Sequence, residues 1–244
     1  ISMNKDRTLA ISGRIILQLI HDRRSIGLIV GAPVIVMSLV GFSFTNQENV
    51  LNRIAPALIG TFALFFTFLL TGITFLRERT QGTLERMLVT PVGRGDILVG
   101  YLFGFMPFAA FQSIVIVAFT VLVLQIAYEG VLWHAELVLL SLVIVAVNLG
   151  IFVSIFAKNE FQITQFIPIV LAPQVFLSGI ILPVEQLPDY FQAISRIMPL
   201  RYGVEGLQDI MLRGYGPMEV VGEITVLVCF SFALLVLAGM TIRR

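Results

Sequence analysis

The sequence predicts an all-α membrane protein, because a very apolar composition is combined with long uninterrupted apolar runs. Of the 244 residues, 57% are hydrophobic and 13% are charged, and the mean hydropathy is +0.95, whereas soluble domains carry about 25% charged residues. The runs are continuously apolar rather than alternating, which favours helices over the strands of a membrane barrel. No linker divides the chain, so one membrane domain over residues 1–244 is expected.

Six apolar runs are long enough to cross about 30 Å of hydrocarbon, which takes about 20 helical residues. They are residues 25–44, 54–75, 97–127, 137–157, 163–182 and 220–242. The third run is too long for one upright crossing and predicts a tilt or an interfacial start, with a bend at Pro107. In the fifth run, Pro168 and Pro173 predict a broken or kinked helix, after which Gly179 and Pro183 let the chain turn back.

The distribution of basic residues predicts the orientation. With the N-terminus inside, 12 of the 16 Lys and Arg residues lie on the inner side. The inner residues are Lys5, Arg7, Arg14, Arg23, Arg24, Arg77, Arg79, Arg86, Arg94, Lys158, Arg243 and Arg244, and the outer ones are Arg53, Arg196, Arg201 and Arg213. Both termini are therefore expected in the cytoplasm.

Two connecting regions outside the spans carry amphipathic patterns. Residues 1–24 mix basic and apolar side chains, which predicts either an interfacial helix or a plain positively charged anchor. Residues 183–217, on the outer side, carry apolar residues at helical spacing on both sides of Pro199. Two short amphipathic helices that dip into the outer leaflet as a re-entrant element are expected there.

The loop at residues 76–96 is charged in a chain that otherwise avoids charge. Its charges would cost about 2.5–3.5 kcal/mol each in hydrocarbon, so residues 76–91 are expected outside the membrane, as a helix with an apolar face and with Glu78 and Glu85 mostly on the opposite, polar side. Gly82 predicts a bend between an extension of the second span and a short interfacial helix, and Pro91 ends it. The segment is either a plain connector or a docking helix for a cytoplasmic partner.

Catalytic and metal-binding constellations are missing from the sequence. His21 and His134 fall on opposite sides of the membrane in this topology and cannot share a site, and no metal site is expected. The only lysines, Lys5 and Lys158, follow Asn and Ala, so no G-K-[ST] phosphate-binding loop can be written. The chain is therefore expected to be no enzyme and to bind no cofactor itself.

Several amides lie within the predicted spans, whereas no Asp, Glu, Lys or Arg lies near the middle of any. The amides are Gln112, Gln125, Asn148, Gln165 and Gln174. Amides between helices usually make interhelical hydrogen bonds. For Gln112, Asn148 and Gln174 a place on a substrate path is the alternative. The pairs Gly27/Gly31 and Gly100/Gly104 are G-x-x-x-G patterns, which support helix contacts within a chain or between protomers.

Two motifs resemble type-2 ATP-binding-cassette permeases, a group of drug, polyketide, lipid and polysaccharide exporters. Residues 77–91 are similar to the signature E-x-x-x-G-T-x-E-x-L-x-x-T-P of that family. A second resemblance lies before the last span, in Ser178, Gly179, Pro183, Leu187, Pro188, Ile194, Pro199, Leu200, Arg201, Tyr202, Glu205, Gly206 and Leu207. With six spans and both ends inside, the resemblance covers essentially the whole chain.

The resemblance implies a dimer of permeases, each bound to a separate ATPase subunit that carries ATP and Mg²⁺. The loop after the second span would be the coupling helix in a groove of the ATPase. The implied coupling residues are Glu78, Gly82, Thr83, Glu85 and Leu88. The implied outer-gate residues are Pro183, Leu187, Pro199, Arg201, Tyr202 and Glu205.

The expected function is an export permease in the plasma membrane of a prokaryote, moving drug-like or lipid-like amphipathic cargo outward, in a homo- or heterodimer without nucleic-acid partners. The alternatives are an ATP-independent carrier or channel, a polysaccharide exporter permease, a membrane enzyme or a membrane anchor for a cytoplasmic complex. Buried ionisable pairs or a ring of charges would favour a carrier or channel, and the sequence contains neither pattern.

Overall fold

The computed structural model describes residues 4–44, 47–90 and 92–242, and the regular structure in these ranges is helical. The helices are α1 (Lys5–His21), α2 (Arg23–Ser43), α3 (Glu48–Thr80), α4 (Thr83–Leu88), α5 (Arg94–Leu122), α6 (Leu132–Ser154), α7 (Glu160–Leu177), α8 (Asp189–Ser195), α9 (Pro199–Arg213) and α10 (Val221–Thr241). One turn of 3₁₀ helix, Val184–Gln186, precedes α8. The predicted all-α fold is confirmed over this part of the chain.

Five helices in the described ranges are long and apolar enough to cross a membrane, namely α3, α5, α6, α7 and α10. The first predicted run falls in α2, whose described apolar stretch, Ile29–Ser43, is shorter. The sixth span therefore stays a prediction.

The central pair of the bundle is α3 and α6. Gly150 of α6 lies so close to α3 that a Cβ built on it would come within 2.1 Å of Thr71 Oγ1 and 2.8 Å of the Phe68 carbonyl oxygen. Glycine is therefore required for this approach of the two helices. Burial confirms the arrangement, because the most apolar stretch of α6 is 72% buried, against 22% for α7 and 17% for α10. α7 and α10 thus lie at the periphery.

α1 is bound to α5 along a stripe of small residues. Ile11 and Ile15 are buried, and a Cβ built on Gly100 or Gly104 of α5 would come within 2.8 Å of the Cβ of the facing isoleucine. The pair Gly100/Gly104 therefore serves a contact within the chain. At the start of both helices, Asp96 accepts hydrogen bonds from the backbone N–H groups of Asn4 at 2.9 Å and Gly93 at 3.0 Å.

Some predicted span boundaries were wrong. α5 ends at Leu122 rather than at residue 127, which leaves Gln125 in the following loop with φ 52°. α6 begins at Leu132, so that Glu136 lies inside it and is 6% exposed. Of the broken or kinked helix expected in the fifth run, the break was wrong, because α7 continues through Pro168 and Pro173, and the kink stays a prediction. The α5 error arises because apolar loop residues extend a hydropathy run without being helical, and the α6 error because His134 and Glu136 shorten the run at the start of the helix.

The segment after α7 turns as predicted, with Gly179 at φ 84°, a left-handed conformation that favours glycine. The two short helices expected here are present as α8 and α9. Pro199 begins α9, where its missing N–H costs no hydrogen bond, and Gly214 ends α9 at φ 71°. Whether this segment re-enters a membrane stays a prediction.

The bundle has two ends, which we name after the short helices. At the α4 end, α3 finishes at Thr80 beside α4, and Arg77 of α3 binds Glu160 at the start of α7. At the α9 end, α3 begins at Glu48, and its first turns share a cavity with α9. α3 runs from one end to the other.

Candidate functional site

The candidate coupling segment bends where the sequence predicted. α3 ends at Thr80, Gly82 adopts φ 73°, and α4 starts at Thr83. No atom lies within 4 Å of a Cβ built on Gly82, so backbone conformation rather than crowding favours glycine at this position. The bend allows α4 to leave the axis of α3 after a turn of only two residues.

α4 presents one anchored face and one exposed face. Leu84 is 4% exposed and packs into the main core cluster, with Met87 packed against the same cluster. Arg86 is exposed, and Val89, which follows the helix, is 87% exposed. The side chains of Glu85 and Leu88 lie outside the part that the structure describes.

Glu78 is buried, contrary to its predicted position on the polar side of the segment. Its side chain accepts hydrogen bonds from Arg14 Nη2 of α1 at 2.9 Å and from Tyr101 Oη of α5 at 3.1 Å, and the residue is 4% exposed. Arg14 Nη2 also lies 3.0 Å from Tyr101 Oη. Because both partners come from other helices, α1 and α5, a helical-wheel argument limited to residues 76–91 could not detect the burial.

The Arg14–Glu78–Tyr101 cluster joins three helices at the α4 end. Burial alone lowers the pKa of the Arg14 guanidinium, but the hydrogen bond to Glu78 and the nearby negative charge outweigh it and raise that pKa above its usual value. The guanidinium therefore stays charged and remains paired with the carboxylate. The cluster fixes α1 and α5 to the last turn of α3, immediately before α4.

Arg79 was missed by sequence reasoning, although it connects α3 to α6. Its guanidinium donates hydrogen bonds to the carbonyl oxygens of Ser154 at 2.8 Å, of Ile155, and of Ala157 at 2.9 Å. The end of a helix leaves such carbonyls unsatisfied and carries a partial negative charge. The sequence holds no signal for this contact, because the acceptors are backbone atoms 75, 76 and 78 residues away.

The neighbouring Arg77 makes a second connection, to α7. Its Nε donates to Glu160 Oε1 at 2.6 Å, and Nη2 lies 3.3 Å from Oε2. Both side chains are about half exposed, at 47% and 51%, so water competes with this ion pair. The two arginines together fix the turn between α6 and α7 to the base of α4.

The three amides considered for a substrate path lie at different helix contacts. Asn148 of α6 donates to Ser231 of α10, at 2.6 Å to Oγ and 3.1 Å to the carbonyl oxygen. Gln174 of α7 accepts from the backbone N–H of Leu200 at 3.3 Å. Gln112 is 1% exposed and makes no hydrogen bond through its side chain. The first two contacts are interhelical hydrogen bonds, and the three residues are not brought together in one cavity.

The outer-gate candidates cluster at the α8–α9 junction. Arg201 donates to Glu205 at 2.8 Å and to Ser195 Oγ at 2.7 Å. Tyr202 Oη donates to the carbonyl oxygen of Arg196 at 2.9 Å, and Pro199 starts α9. Pro183 and Glu205 line a cavity, whereas Leu187 lies just before α8 at a second, apolar surface depression. These contacts hold α8 against α9.

No group of three or more His, Cys, Asp or Glu side chains suited to a metal ion occurs in the described part of the chain. Cys229 is a free thiol on an exposed face of α10. At the α4 end, Arg14, Arg77 and Arg79 bind groups on other helices and thereby connect α3 to α1, α6 and α7.

The sequence matches the family model described as ABC-2 type transporter over residues 7–212. Among curated relatives, the chain is 27% identical over 162 residues to the probable multidrug ABC transporter permease YbhR of Escherichia coli, covering 66% of this chain and 44% of YbhR. It is 30% identical over 192 residues to nodulation protein J of Rhizobium leguminosarum bv. viciae, covering 76% of this chain and 70% of that protein.

A longer relative is ABC transporter G family member 20 of Dictyostelium discoideum, which is 25% identical over 170 residues. The match covers 70% of this chain but 23% of that protein. The chain thus spans less than half the length of this relative and of YbhR.

Proposed function

We propose that this chain, which belongs to the ABC-2 type transporter family, is the membrane permease subunit of an ATP-driven exporter. The chain is a multi-pass membrane protein of that family. In the proposal a separate ATPase subunit binds α4 and supplies the energy, with ATP and Mg²⁺ held on that subunit. Two permease copies and two ATPase subunits form the transporter.

The observation that carries the proposal is the way α4 is held. Its exposed face leaves Arg86 and Val89 accessible, while Glu78 and Arg79, just before the bend, are bound to α1, α5 and the end of α6. A force applied to α4 therefore reaches three other helices through direct hydrogen bonds. A plain connector would satisfy the topology without these contacts.

The orientation in the proposal follows from charge. The α4 end carries the basic residues that favour the cytoplasmic side. α2 has 21 residues and reaches about 32 Å at about 1.5 Å per residue, enough for a sixth span. Six spans place both termini in the cytoplasm of a prokaryote, and α8 and α9 then lie at the outer leaflet.

The cargo in the proposal is amphipathic and drug-like or lipid-like. Relatives whose names describe probable multidrug permeases support this class. The strongly apolar helices also support it, because they offer few charged groups to a sugar or an ion. Export, rather than import, is inferred from the same relatives.

The docking of the ATPase can be tested with one charge reversal on α4. The chain, with its cognate ATPase, is purified and reconstituted in liposomes, and ATPase co-purification and cargo transport are measured. Arg86→Glu should weaken co-purification at least about tenfold, equivalent to about 1.4 kcal/mol. Arg196→Glu, the same reversal on an exposed arginine at the α9 end, is the matched control and should change neither. Full co-purification and transport with Arg86→Glu would reject docking on α4.

A further inference from the structure

A large cavity lies at the α9 end, far from α4. Its volume is about 860 Å³, within the range of about 300–1,000 Å³ typical of small-molecule sites. It is enclosed by the first turns of α3, the segment that follows α7, the α9 helix and the start of α10.

The cavity combines an apolar surface with an excess of carboxylates. Val50, Ile54 and Ala57 of α3 form one wall, with Leu212 of α9 also in the lining. The charged lining residues are four carboxylates and two arginines, namely Glu185, Glu205, Asp209, Glu223, Arg53 and Arg213. A molecule with an apolar body and a positive group fits such a lining better than an anion does.

Two of these carboxylates are neutralised within α9. Glu205 accepts from Arg201 at 2.8 Å, and Asp209 pairs with Arg213. Glu185 and Glu223 form no ion pair with any described residue, and Arg53 is the only lining arginine of the described chain that forms none either. The lining therefore retains one uncompensated negative charge.

Glu223 is the most informative of these residues. Its Oε2 atom is shielded from solvent and has no hydrogen-bond partner. Its Cβ would lie 3.6 Å from a Cβ built on Gly206 of α9, which shows how closely α10 and α9 approach at this point. A buried carboxylate oxygen without a partner is costly, and the negative charge of Glu223 beside the cavity favours a cation there.

The pKa of Glu205 also reflects the negative charges around the cavity. Burial raises the pKa of its carboxyl, the hydrogen bond from Arg201 opposes that rise, and the nearby carboxylates of Glu223 and Asp209 add to it. The three carboxylates are therefore close enough to interact. Because the described residues offer no metal-binding group, an organic cation suits the cavity better than a metal ion.

We propose that this cavity binds an amphipathic organic cation, with its positive group at Glu223 and Glu185 and its apolar part on the α3 wall. Two sources share this chemistry, an exported cationic molecule and the amine of a membrane phospholipid. The binding site does not depend on the proposed ATP-driven function, since it is defined by this chain alone.

The test is the binding of tritiated tetraphenylphosphonium to the purified full chain in phosphatidylglycerol nanodiscs, without ATP or ATPase. Glu223→Gln should raise Kd about tenfold, and Glu185→Gln should raise it about threefold, because Glu185 is exposed and water screens it. Glu185→Gln also tests the site independently if the Glu223→Gln variant misfolds. Glu129→Gln, an exposed carboxylate in the α5–α6 loop outside the cavity, is the matched control and should leave Kd unchanged.

Three results would overturn the proposal: an unchanged Kd in both cavity variants, an equal loss in Glu129→Gln, or displacement of the probe by neutral triphenylphosphine oxide as effectively as by unlabelled cation. The source is identified by repeating the measurement in phosphatidylethanolamine nanodiscs. The quantity compared is the site-specific binding, which is the probe bound by the wild type minus the probe bound by Glu223→Gln. Weaker binding there supports a phospholipid amine as occupant, and equal binding supports an exported cation. If the cavity does not bind the probe, the docking of an ATPase on α4 is unaffected. If the docking test fails, the cavity proposal is likewise unaffected.

Discussion

The two ends of the molecule use charge in opposite ways. At the α4 end, charged side chains bind across helices: Glu78 to Arg14 of α1, and Arg79 to the end of α6. At the α9 end, the ion pairs join residues four apart on α9 itself, as in Arg213–Asp209. Pairs between helices hold those helices together, whereas pairs within one helix leave its neighbours free to separate. The ion pairs described at the α4 end therefore couple different helices, whereas those described at the α9 end stabilise α9 itself.

The largest expected effect comes from removing the cation at the α4 end. Arg14→Met leaves the carboxylate of Glu78 buried without its partner, a type of change that costs about 3–5 kcal/mol when both groups are buried. Because the Arg14 side chain is 38% exposed, we expect about 2–3 kcal/mol of destabilisation. The measurement is the free energy of unfolding in micelles titrated with sodium dodecyl sulfate.

The double variant Arg14→Met/Glu78→Gln separates the pair from the packing of α1. It should recover part of the loss, since no uncompensated charge then remains. A loss below about 1 kcal/mol in Arg14→Met would mean that the contact between α1 and α3 does not depend on this pair.

A smaller effect is expected from Arg79→Gln. The shorter neutral side chain loses the charged donor at the end of α6, and hydrogen bonds to charged groups contribute about 1.5–3 kcal/mol, so we expect about 2 kcal/mol of destabilisation. Arg77→Gln, which breaks a half-exposed pair, is the matched control and should cost about 0.5 kcal/mol. Hydrogen exchange of the last turn of α6 should increase in Arg79→Gln and not in Arg77→Gln. Equal losses in the two variants would contradict the special role of Arg79.

The smallest effect is expected at the α9 end. Arg213→Gln removes an exposed pair within α9, whose arginine is 64% exposed, and should change the free energy of unfolding by less than about 0.5 kcal/mol. Since the change frees Asp209 beside the cavity, the Kd for tetraphenylphosphonium should fall. A destabilisation as large as that of Arg79→Gln would show that the α9 end is also held by its ion pairs.

Local features of this chain were predictable, and contacts between distant residues were not. The bend at Gly82 and the start of α9 at Pro199 follow from the backbone preferences of single residues. The burial of Glu78 was missed because its partners lie 64 and 23 residues away. Glu136 was placed outside its span because the hydropathy run begins one residue later, although the helix begins at Leu132.

In the candidate site, too, local features were predictable from the sequence and contacts between distant residues were not. The sequence located α4 and its resemblance to a family signature, but the contacts that hold α4 in place come from α1, α5 and α6. The unpartnered oxygen of Glu223 depends on α9 folding back against α10, which the sequence does not reveal. Such features need the packing of helices that are far apart in the chain.

The single helix α3 reaches from the cavity at the α9 end to the base of α4. Its 33 residues make a rod about 50 Å long, with the cavity wall at Val50, Ile54 and Ala57 near one tip and the base of α4 at the other. A rotation of the rod by about 5° about one tip would displace the other by about 4 Å, about three-quarters of a helical turn. In the proposed exporter, a lever of this length would convert a small rocking of α4 into a change of cavity width comparable to the thickness of an aliphatic chain.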